Sequence, residues 1–299
     1  MGNNSEKSFR AGLIAFAGLP NAGKSTLLNT IVGEKIAIVS PRPQTTRNTI
    51  YGIKTEDEYQ AILLDTPGFH SAKTRLNRAI VQQAIDSLSI VDVVCVLAEA
   101  GMKIGNDFKR LIEIIKSAEQ PKILIITKID DAKKEDVYKT AEEIYPMADF
   151  VQVIPVSSVK NINVGKFMEL AVEYLPENIL QYDRDLITTQ PEKFLVAEYI
   201  REQAFLNLRQ EVPYDVLVDI ESFEDTEKRI EISAVIYVNR ESQKGIVIGE
   251  GGAMLKKIGQ NARKNLEAFF DRSVYLELWV KVRENWVANS EYLDIQGLK

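Results

Sequence analysis

The sequence predicts an α/β domain with a mostly parallel sheet, followed by a smaller α+β domain. Three observations indicate this architecture. A glycine-rich loop stands between an apolar strand and a helix near the amino terminus. Apolar strands then alternate with amphipathic helices as far as residue 175. After Pro191 come a helix, an alternating hairpin, a second glycine-rich loop, a further helix and a last strand. A chain of 299 residues is long enough for two such domains.

The composition is that of a globular protein. Apolar residues make up 45% of the chain, and 43 acidic residues exceed 37 basic ones, which gives a net charge of −6. This balance argues against a protein whose whole surface binds nucleic acid, but it is compatible with a local basic face. A single cysteine, Cys95, and a single histidine, His70, exclude a disulfide framework and a zinc site of the usual kind. We expect a cytoplasmic protein, because the amino terminus lacks a signal-peptide pattern and no run approaches the ~20 apolar residues of a membrane span.

The first glycine-rich loop fits the phosphate-binding pattern G-x-x-x-x-G-K-[ST] over Gly18–Ser25. Strand 13–17 precedes it and helix 25–32 follows it. Glycines let backbone N–H groups approach phosphate oxygens, and the helix adds the positive end of its dipole. Lys24 can neutralise the β- and γ-phosphates, and Ser25 can offer its hydroxyl to magnesium. The pattern predicts a nucleotide site made of Gly18, Asn21, Ala22, Gly23, Lys24, Ser25 and Thr26.

Two later segments have the spacing of nucleotide switches. A loop over residues 41–48 carries Thr45 and Thr46, and a threonine there can complete a magnesium shell when the γ-phosphate is bound. Strand 59–64 ends in Asp65-Thr66-Pro67-Gly68, at the distance from the phosphate loop that is typical of the D-x-x-G element. The aspartate can hold magnesium through water, and the glycine N–H can lie beside the γ-phosphate. Together these segments predict a nucleotide hydrolase.

The residue that would orient the attacking water is missing. Phe69 follows Gly68 at the position where many GTPases carry a glutamine. His70 is the next candidate for contact with water, and the alternative is a solvent-exposed histidine with no catalytic part. Because no side chain is an obvious general base, we predict slow in-line hydrolysis.

Two loops that follow later strands resemble guanine-binding motifs. Strand 122–126 ends in Thr127-Lys128-Ile129-Asp130, which resembles N-K-x-D with threonine in place of asparagine. Asp130 would accept hydrogen bonds from the guanine N–H and amino groups, and the Lys128 stem would pack over the base. After strand 150–154, Ser157-Ser158 looks like the S-A pair of a second base-contacting loop, in which we include Val159. Guanine is favoured, and ATP stays open as an alternative because the phosphate loop is generic and Thr127 departs from the motif.

The second half of the chain follows the element order of a KH domain. Its elements are a helix over 191–210, a hairpin of strands 212–223 and 230–238, a G-x-x-G loop at 249–252, a helix to residue 270 and a strand over 274–282. We place the nucleotide-binding domain at 1–176 and the KH domain at 191–299. Residues 177–190 lack apolar periodicity and are predicted to be a linker.

The G-x-x-G loop predicts an RNA-binding surface. In KH domains this loop approaches a nucleic-acid backbone closely, because glycine has no side chain to obstruct it. Between residues 239 and 283 the chain has nine basic residues and five acidic ones, and this local excess of positive charge fits phosphate binding. Glu250 inside the loop opposes RNA binding, because its carboxylate repels the phosphates of the RNA backbone. The predicted RNA-binding residues are Arg240, Lys244, Gly245, Ile248, Gly249, Glu250, Gly251, Gly252, Lys256 and Lys257.

The chain closely resembles the Era family of bacterial ribosome-assembly GTPases, and the resemblance covers nearly its whole length. A GTPase domain joined to a carboxy-terminal KH domain is far more specific than any single motif. The resemblance implies a P-loop GTPase domain with a mostly parallel sheet, followed by an α+β KH domain of type II-like topology that binds RNA. The segments that carry it are Gly18–Ser25, Pro43–Arg47, Asp65–Gly68, Thr127–Asp130, Lys244–Gly259 and Leu278–Trp286.

The resemblance implies roles for these site residues. GTP and GDP would bind with Mg²⁺, which Ser25, Thr46 and, through water, Asp65 would hold. Lys24, Asn21, Thr46 and Gly68 would act in catalysis. In GTPases with an apolar residue at the Phe69 position, an asparagine placed like Asn21 can hold a potassium ion against the phosphates, so K⁺ is a hypothesis here.

The resemblance also implies partners. The KH domain would bind small-subunit ribosomal RNA at its 3′ end, and GTP would control that binding while the small ribosomal subunit matures. Family members also associate peripherally with the membrane, which would bring the protein to the inner face of the cell membrane, and we expect a monomer. The alternative is an RNA-binding assembly factor in which the nucleotide is structural and turnover is negligible.

Overall fold

The computed structural model describes residues 8–42, 45–70, 75–284 and 286. By their contacts these residues fall into two compact units. The first unit takes residues up to 37, residues from 46 to 73 and residues 77–189. The second takes residues 38–45, residues 74–76 and everything from Gln190 onward.

The first unit is built on a six-stranded sheet in the order β2-β3-β1-β4-β5-β6. Neighbouring strands are parallel except for β2 and β3, which pair antiparallel. The predicted mostly parallel sheet is therefore confirmed. The strands are β1 Arg10–Gly18, β2 Ile50–Thr55, β3 Tyr59–Asp65, β4 Val93–Glu99, β5 Lys122–Thr127 and β6 Phe150–Pro155.

Within the part of the chain that the structure describes, five α-helices accompany this sheet, and apolar spacing explains how they pack. Helix α3 carries Phe108, Leu111, Ile112 and Ile115 at intervals of three, one and three residues, and all four are buried against the sheet. Strand β4 is apolar along its buried length and holds Cys95, and burial raises the pKa of this thiol far above its usual range. The helices are α1 Lys24–Val32, α2 Arg75–Leu88, α3 Asn106–Lys116, α4 Lys134–Ile144 and α5 Val164–Val172.

The register of the parallel strands brings the predicted nucleotide loops to one edge. Phe16, two residues before the end of β1, is level with Asp65 at the end of β3. Glu99 at the end of β4 is level with Thr127 at the end of β5. Because the carboxyl ends of parallel strands meet at the same edge, the phosphate loop, the D-x-x-G segment and the base loop become neighbours.

The segment predicted to be a linker packs against the first unit through most of its length. The carboxamide oxygen of Gln60, a fully buried residue, accepts hydrogen bonds from the backbone N–H groups of Gln181 at 2.8 Å and Tyr182 at 2.9 Å. Ile53 N donates to the carbonyl oxygen of Ile187 at 2.8 Å. The segment therefore covers the edge strand β2, which would otherwise present unpaired backbone groups.

The second unit contains a three-stranded sheet in the order β7-β8-β9, in which β7 and β8 are antiparallel and β8 and β9 are parallel. The predicted KH order of helix, hairpin, loop, helix and strand is present, and the residues just before the loop form a further helix. The hairpin starts later than predicted, because Val212–Asp215 forms a 3₁₀ turn that Pro213 favours. The elements are α6 Glu192–Asn207, β7 Leu217–Asp225, β8 Ile230–Val238, α7 Glu241–Ile248, α8 Ala253–Phe270 and β9 Val274–Val282.

Candidate nucleotide site and nucleic-acid interface

The phosphate loop holds the side chain of Lys24 through its backbone carbonyl groups. Asn21 and Gly23 have left-handed backbones, with φ of 64° and 93°, and α1 begins directly after them at Lys24. Lys24 Nζ donates to the carbonyl oxygens of Gly18 at 3.2 Å and Leu19 at 3.0 Å, and only 5% of the residue is exposed. The ammonium group and the N–H groups at the start of α1 therefore belong to the same short loop-to-helix segment, which is the arrangement that binds phosphate.

The D-x-x-G segment lies directly on this loop. Phe69 N donates to the carbonyl oxygen of Gly18 at 3.0 Å. A Cβ atom on Gly68 would lie 2.7 Å from both Cα and N of Pro20, which is too close for any side chain. Glycine is therefore required at residue 68 by the approach of two backbones. Phe69 itself is buried in the core of the unit, and His70 Nδ1 lies 2.8 Å from the carbonyl oxygen of Gly68.

Three oxygen-bearing side chains meet beside the loop. Ser25 Oγ lies 3.0 Å from Thr46 Oγ1 and donates to Asp65 Oδ2 at 2.5 Å. Asp65 is completely buried, and among the described residues its Oδ1 atom has no hydrogen-bond partner. A buried carboxylate oxygen without a partner is unusual unless it serves a cation or ordered water. Hydroxyl and carboxylate oxygens are the ligands that Mg²⁺ prefers, so these residues fit that ion.

Burial perturbs the two charged groups of the site in opposite directions. Burial lowers the pKa of Lys24 from 10.5 to about 8, against the smaller opposing effect of the Asp65 charge. Burial also raises the pKa of Asp65 to about 6, although Lys24 and the hydroxyls of Ser25 and Thr46 oppose this shift. Both groups carry their charges together only between these two values.

We therefore expect nucleotide affinity to be greatest between about pH 6 and pH 8. Above pH 8 the free protein must take up a proton at Lys24 to hold phosphate, and below pH 6 it must lose one at Asp65 to hold Mg²⁺. A fluorescent GDP analogue titrated from pH 5 to 9 measures this, with and without Mg²⁺. Lys24→Arg keeps its charge over this range and should lack the alkaline loss. An alkaline loss of equal size in that variant would contradict the assignment to Lys24.

The base loop is tied to the phosphate loop by the unusual threonine. Thr127 is 2% exposed, and its Oγ1 donates to the carbonyl oxygens of Ala22 at 2.9 Å and Ala98 at 3.3 Å. Lys128 then adopts a left-handed backbone with φ of 58°, and its Nζ lies 2.6 Å from Glu99 Oε2. Asp130 follows in a turn and is exposed. The Thr127 hydroxyl thus anchors the loop that presents Asp130.

The second base-contacting loop is anchored on α1. The backbone N–H and C=O groups of Ser157 pair with those of Ile162, and its buried hydroxyl accepts from Lys160 N at 3.1 Å. The carbonyl oxygen of Ser158 accepts from Thr30 Oγ1 at 3.2 Å. Val159 is 76% exposed at the tip. A short motif that carries little information by itself therefore occupies a fixed place beside the phosphate-binding helix.

In the second unit, left-handed glycines shape the predicted RNA loop. Gly249, Gly251 and Gly252 have φ of 73°, 55° and 80°. A Cβ atom on Gly249 would lie 2.7 Å from Cβ of Met254, so both its backbone and its surroundings require glycine. Lys256 and Lys257 are exposed and are the fourth and fifth residues of α8, shortly after the loop.

A groove beside the loop adds residues that the sequence analysis did not include. Its volume is about 520 Å³, and it lies between the first half of α8 and strand β9. Gly259 leaves room in this groove, because a Cβ atom at this residue would lie 3.3 Å from Leu278 Cδ1. The sequence does contain a signal for this groove. Lys256, Gln260 and Arg263 are spaced by four and three residues, which places them on one face of a helix. The groove is lined by Gly252, Leu255, Lys256, Gly259, Gln260, Arg263, Tyr275, Leu276 and Leu278.

Two family models match the chain, one in each half. The model described as 50S ribosome-binding GTPase matches residues 13–128, and the model described as KH domain matches residues 211–287. The protein is therefore a P-loop GTPase that carries a KH domain, as the fold predicts. Guanine, rather than adenine, is the base expected of this class. Among the described residues, no helix has the length and apolar character needed to cross a membrane.

Curated relatives identify the family within this class. GTPase Era of Thermoanaerobacter sp. (strain X514) is 45% identical over 96% of this chain and 96% of its own length. GTPase Era of Ruminiclostridium cellulolyticum is 42% identical over 98% of each chain. The chain belongs to the Era family of GTPases.

Solved structures agree over almost the entire chain. An Aquifex aeolicus Era variant bound to GDP·AlF₄⁻ is 35% identical and covers 97% of this chain and 99% of its own, with a TM-score of 0.92. Era in complex with MgGDPNP and nucleotides 1506–1542 of 16S ribosomal RNA is 36% identical, with the same coverages and a TM-score of 0.92.

Proposed function

We propose that this protein is a slow GTP-hydrolysing switch that binds small-subunit ribosomal RNA near its 3′ end and assists assembly of the small ribosomal subunit. One observation carries the proposal. A single chain contains both a set of nucleotide-binding loops at one edge of a sheet, with Asp130 placed to select guanine, and the groove of a KH domain. A solved Era with MgGDPNP and 16S ribosomal RNA supports it, with a TM-score of 0.92 over 97% of this chain.

The phosphates bind to the loop at Gly18–Ser25. The N–H groups of the loop and of the first turn of α1 bind the phosphate oxygens, with Thr26 among them, and Lys24 spans the β- and γ-phosphates. Gly68 presents its backbone N–H to the γ-phosphate from the opposite side. These donors are fixed before reaction, so they stabilise the charge that develops on the transferred group without reorganising.

Ser25, Thr46 and Asp65 would hold Mg²⁺, Asp65 through water. When bound, the ion neutralises charge on the β- and γ-phosphate oxygens. The unpartnered Oδ1 atom of Asp65 supports this assignment, since a buried carboxylate oxygen without a hydrogen-bond partner is available to an ion or its water. Thr46 would hold the ion only when the γ-phosphate is bound, and it is therefore the residue that distinguishes GTP from GDP.

Turnover is slow because no side chain activates water. Phe69 is buried and apolar, so it cannot orient the nucleophile as a glutamine would. In its place we propose that Asn21 holds a K⁺ ion against the phosphates. Hydrolysis should then be faster in potassium than in sodium at equal ionic strength, and equal rates would remove this ion from the site.

RNA binds with its backbone at the glycine loop and its bases in the adjoining groove. The loop and flanking residues are Arg240, Lys244, Gly245, Ile248, Gly249, Glu250, Gly251 and Gly252. Lys256 and Lys257 contact phosphates, while Gln260, Arg263 and Tyr275 face the bases. Polar and planar side chains of this kind can hydrogen-bond to base edges or stack on their faces.

Glu250 is expected to weaken this RNA contact. It is exposed, and among the described residues it makes no ion pair. Glu250→Lys should raise RNA affinity by about tenfold, because reversing one charge near a phosphate changes the Coulomb energy by about 2 kcal/mol before salt screening. Titrations at several salt concentrations should also give a steeper negative slope. Glu224→Lys, an equal charge change in the exposed part of β7, is the control, and an equal gain there would contradict a local effect.

The proposed function is tested with the full chain and an RNA copy of the 3′ end of small-subunit ribosomal RNA. We expect tight binding to this RNA and not to a scrambled sequence, with a negative salt slope and a difference between GDPNP and GDP. The double variant Lys256→Glu, Lys257→Glu should lose binding. The double variant Lys133→Glu, Lys134→Glu, which changes two adjacent exposed lysines of the first unit, should keep it. Equal binding of both RNAs would refute sequence-dependent docking.

A second reading keeps the RNA-binding role but makes the nucleotide structural. The buried Phe69 favours it, because it leaves the water without an orienting side chain. Single-turnover hydrolysis with and without small ribosomal subunits separates the two. Stimulation by subunits supports a switch, whereas negligible turnover in both conditions supports a structural nucleotide.

The proposal extends to organisation and location. Residues 1–176 act as the GTP-binding domain, 177–190 as the linker and 191–299 as the RNA-binding domain of a monomer. The protein works in the cytoplasm and associates peripherally with the inner face of the cell membrane. Sedimentation of the purified protein, alone and with vesicles of bacterial lipid, tests both the monomer and the membrane association.

A further inference from the structure

Strand β9 exposes a tryptophan that the proposed function does not use. Trp279 is 53% exposed, and its partner in the register of β8 is Val235, which is fully buried. Among the described residues, Trp279 has no aromatic or cationic partner for its ring. Tryptophan is highly buried on average and is enriched at binding sites, so a free indole in the middle of a strand marks a candidate contact surface.

The groove beside the glycine loop reaches the face of the sheet that carries Trp279. Strand β9 is an edge strand, since among the described strands it pairs with β8 alone. Successive residues of a strand point to opposite faces, yet both Tyr275 and Leu276 line the groove. The groove therefore extends around the edge of β9. Tyr275 and Trp279 are separated by an even number of residues, so they lie on one face, about 13 Å apart along the strand.

The surroundings of Trp279 suit a nucleobase better than a phosphate group. Glu277 is exposed and lies between the two aromatic residues on the same face. Its carboxylate would repel a phosphate, and the ammonium group of Lys281, the next residue on that face, is paired with Glu221 at 2.8 Å. A base requires no charged partner, because every base has a face that can stack on an indole.

We propose that Trp279 is an RNA-stacking residue, which receives a base of the strand that leaves the groove past Tyr275. The proposal rests on the proposed function and extends its RNA site from the groove onto the face of the sheet that carries Trp279. In KH domains the G-x-x-G loop clamps about four nucleotides, so only a longer RNA reaches Trp279. Stacking tolerates any base, so this site adds affinity without adding a sequence preference.

The test uses the full chain and two series of RNAs from the 3′ end of small-subunit ribosomal RNA. Both series start from about four nucleotides and grow by one nucleotide at a time, at the 5′ end or at the 3′ end. In one series the affinity should rise by about tenfold at the length that reaches Trp279, which is the effect typical of one stacked base. Trp279→Leu keeps an apolar side chain beside Val235 but has no ring, so it should lose this rise and bind the shorter RNAs unchanged. Trp279→Phe should keep most of the rise.

Three further readouts separate stacking from a loss of stability or of charge. The chain has two tryptophans, and Trp286 is 1% exposed. A stacked base should quench the fluorescence of Trp279, whereas the Trp286 signal that remains in Trp279→Leu should not respond to RNA. The salt slope of binding should be equal in the unchanged protein and in Trp279→Leu, because no ion pair is lost. An abasic nucleotide at the length where the affinity rises should abolish the rise.

Tyr138→Leu is the matched control. It makes the same kind of change at another exposed aromatic residue, which is 68% exposed on α4 of the first unit, and it should leave every RNA affinity unchanged. Equal affinities of Trp279→Leu and the unchanged protein at all lengths, without quenching of Trp279, would overturn the stacking site. If no rise occurred and a dimer that Trp279→Leu abolishes formed at higher concentration, the face would belong to a second copy. Failure of every RNA to bind the unchanged protein would instead refute the proposed function.

Discussion

Asp130→Asn is expected to weaken GTP binding by roughly 100-fold and to create affinity for xanthosine triphosphate. The carboxylate accepts two hydrogen bonds from guanine, and losing bonds of this charged kind costs about 2–3 kcal/mol. An asparagine amide presents one acceptor and one donor, which match the ring N–H and the extra carbonyl of xanthine. Competition titrations with GTP, XTP and ATP against a fluorescent GDP analogue measure all three affinities.

Asp131→Asn is the control for this change. Asp131 is the next residue of the same turn, is exposed, and donates its backbone N–H to the carbonyl oxygen of Lys128 at 3.1 Å. The substitution removes the same charge from the same loop without touching the base. GTP affinity should stay within about twofold, because exposed charges of this kind contribute little. If both variants lost affinity equally, the loop's charge, rather than Asp130 itself, would set the preference for guanine.

The loops of the nucleotide edge were predictable because chain order determines where they lie. The phosphate loop, the D-x-x-G segment and the two base loops each follow an apolar strand, and parallel strands place their carboxyl ends at one edge whatever the details of packing. The register that makes Phe16 level with Asp65 and Glu99 level with Thr127 is the three-dimensional form of that rule. The order of KH elements was predictable for a different reason, because a hairpin and a G-x-x-G loop are recognised from short stretches of sequence.

What the sequence could not reveal are contacts between residues far apart in the chain. Gln60 reads as one polar residue in a strand, yet its carboxamide anchors Gln181 and Tyr182 and fixes the segment predicted to be a linker. Arg201 and Glu202 are charged residues within the helix predicted over 191–210, yet both are buried. Their partners lie more than 150 residues earlier, at Val39 and Thr45. Periodicity describes faces of an element but not which distant backbone group a charge satisfies.

Thr127 illustrates a substitution whose effect depends on geometry. Judged by its motif, threonine in place of asparagine removes an amide and shortens the side chain. In the structure the hydroxyl still reaches the carbonyl oxygens of Ala22 and Ala98, so it joins the phosphate loop, strand β4 and the base loop. One donor at the right place thus preserves a connection that the change of residue type alone would suggest is lost.

Lys24→Met is expected to reduce GTP hydrolysis by about 1000-fold, because removing one fixed donor from a developing charge typically costs 100-fold to 1000-fold, and Lys24 carries a full charge. Mg²⁺ binding should weaken as well, since the ammonium charge opposes the raised pKa of Asp65. Single-turnover hydrolysis at saturating GTP measures the first effect. A rate within tenfold of the unchanged protein would remove Lys24 from the catalytic residues.

The same substitution should leave the unfolding temperature unchanged or higher. Lys24 has its pKa lowered from 10.5 to about 8 in the folded protein, so at pH 7 the buried charge opposes folding by about 3 kcal/mol. Lys122 provides the contrast. It is equally buried at 5% exposed, and its Nζ also donates to two carbonyl oxygens, those of Ala118 and Gln120. Lys122→Met should lower the unfolding temperature and leave hydrolysis unchanged. Opposite outcomes for two lysines in such similar surroundings would show that Lys24 is kept charged for catalysis and at a cost in stability, because nothing in the fold itself requires its charge.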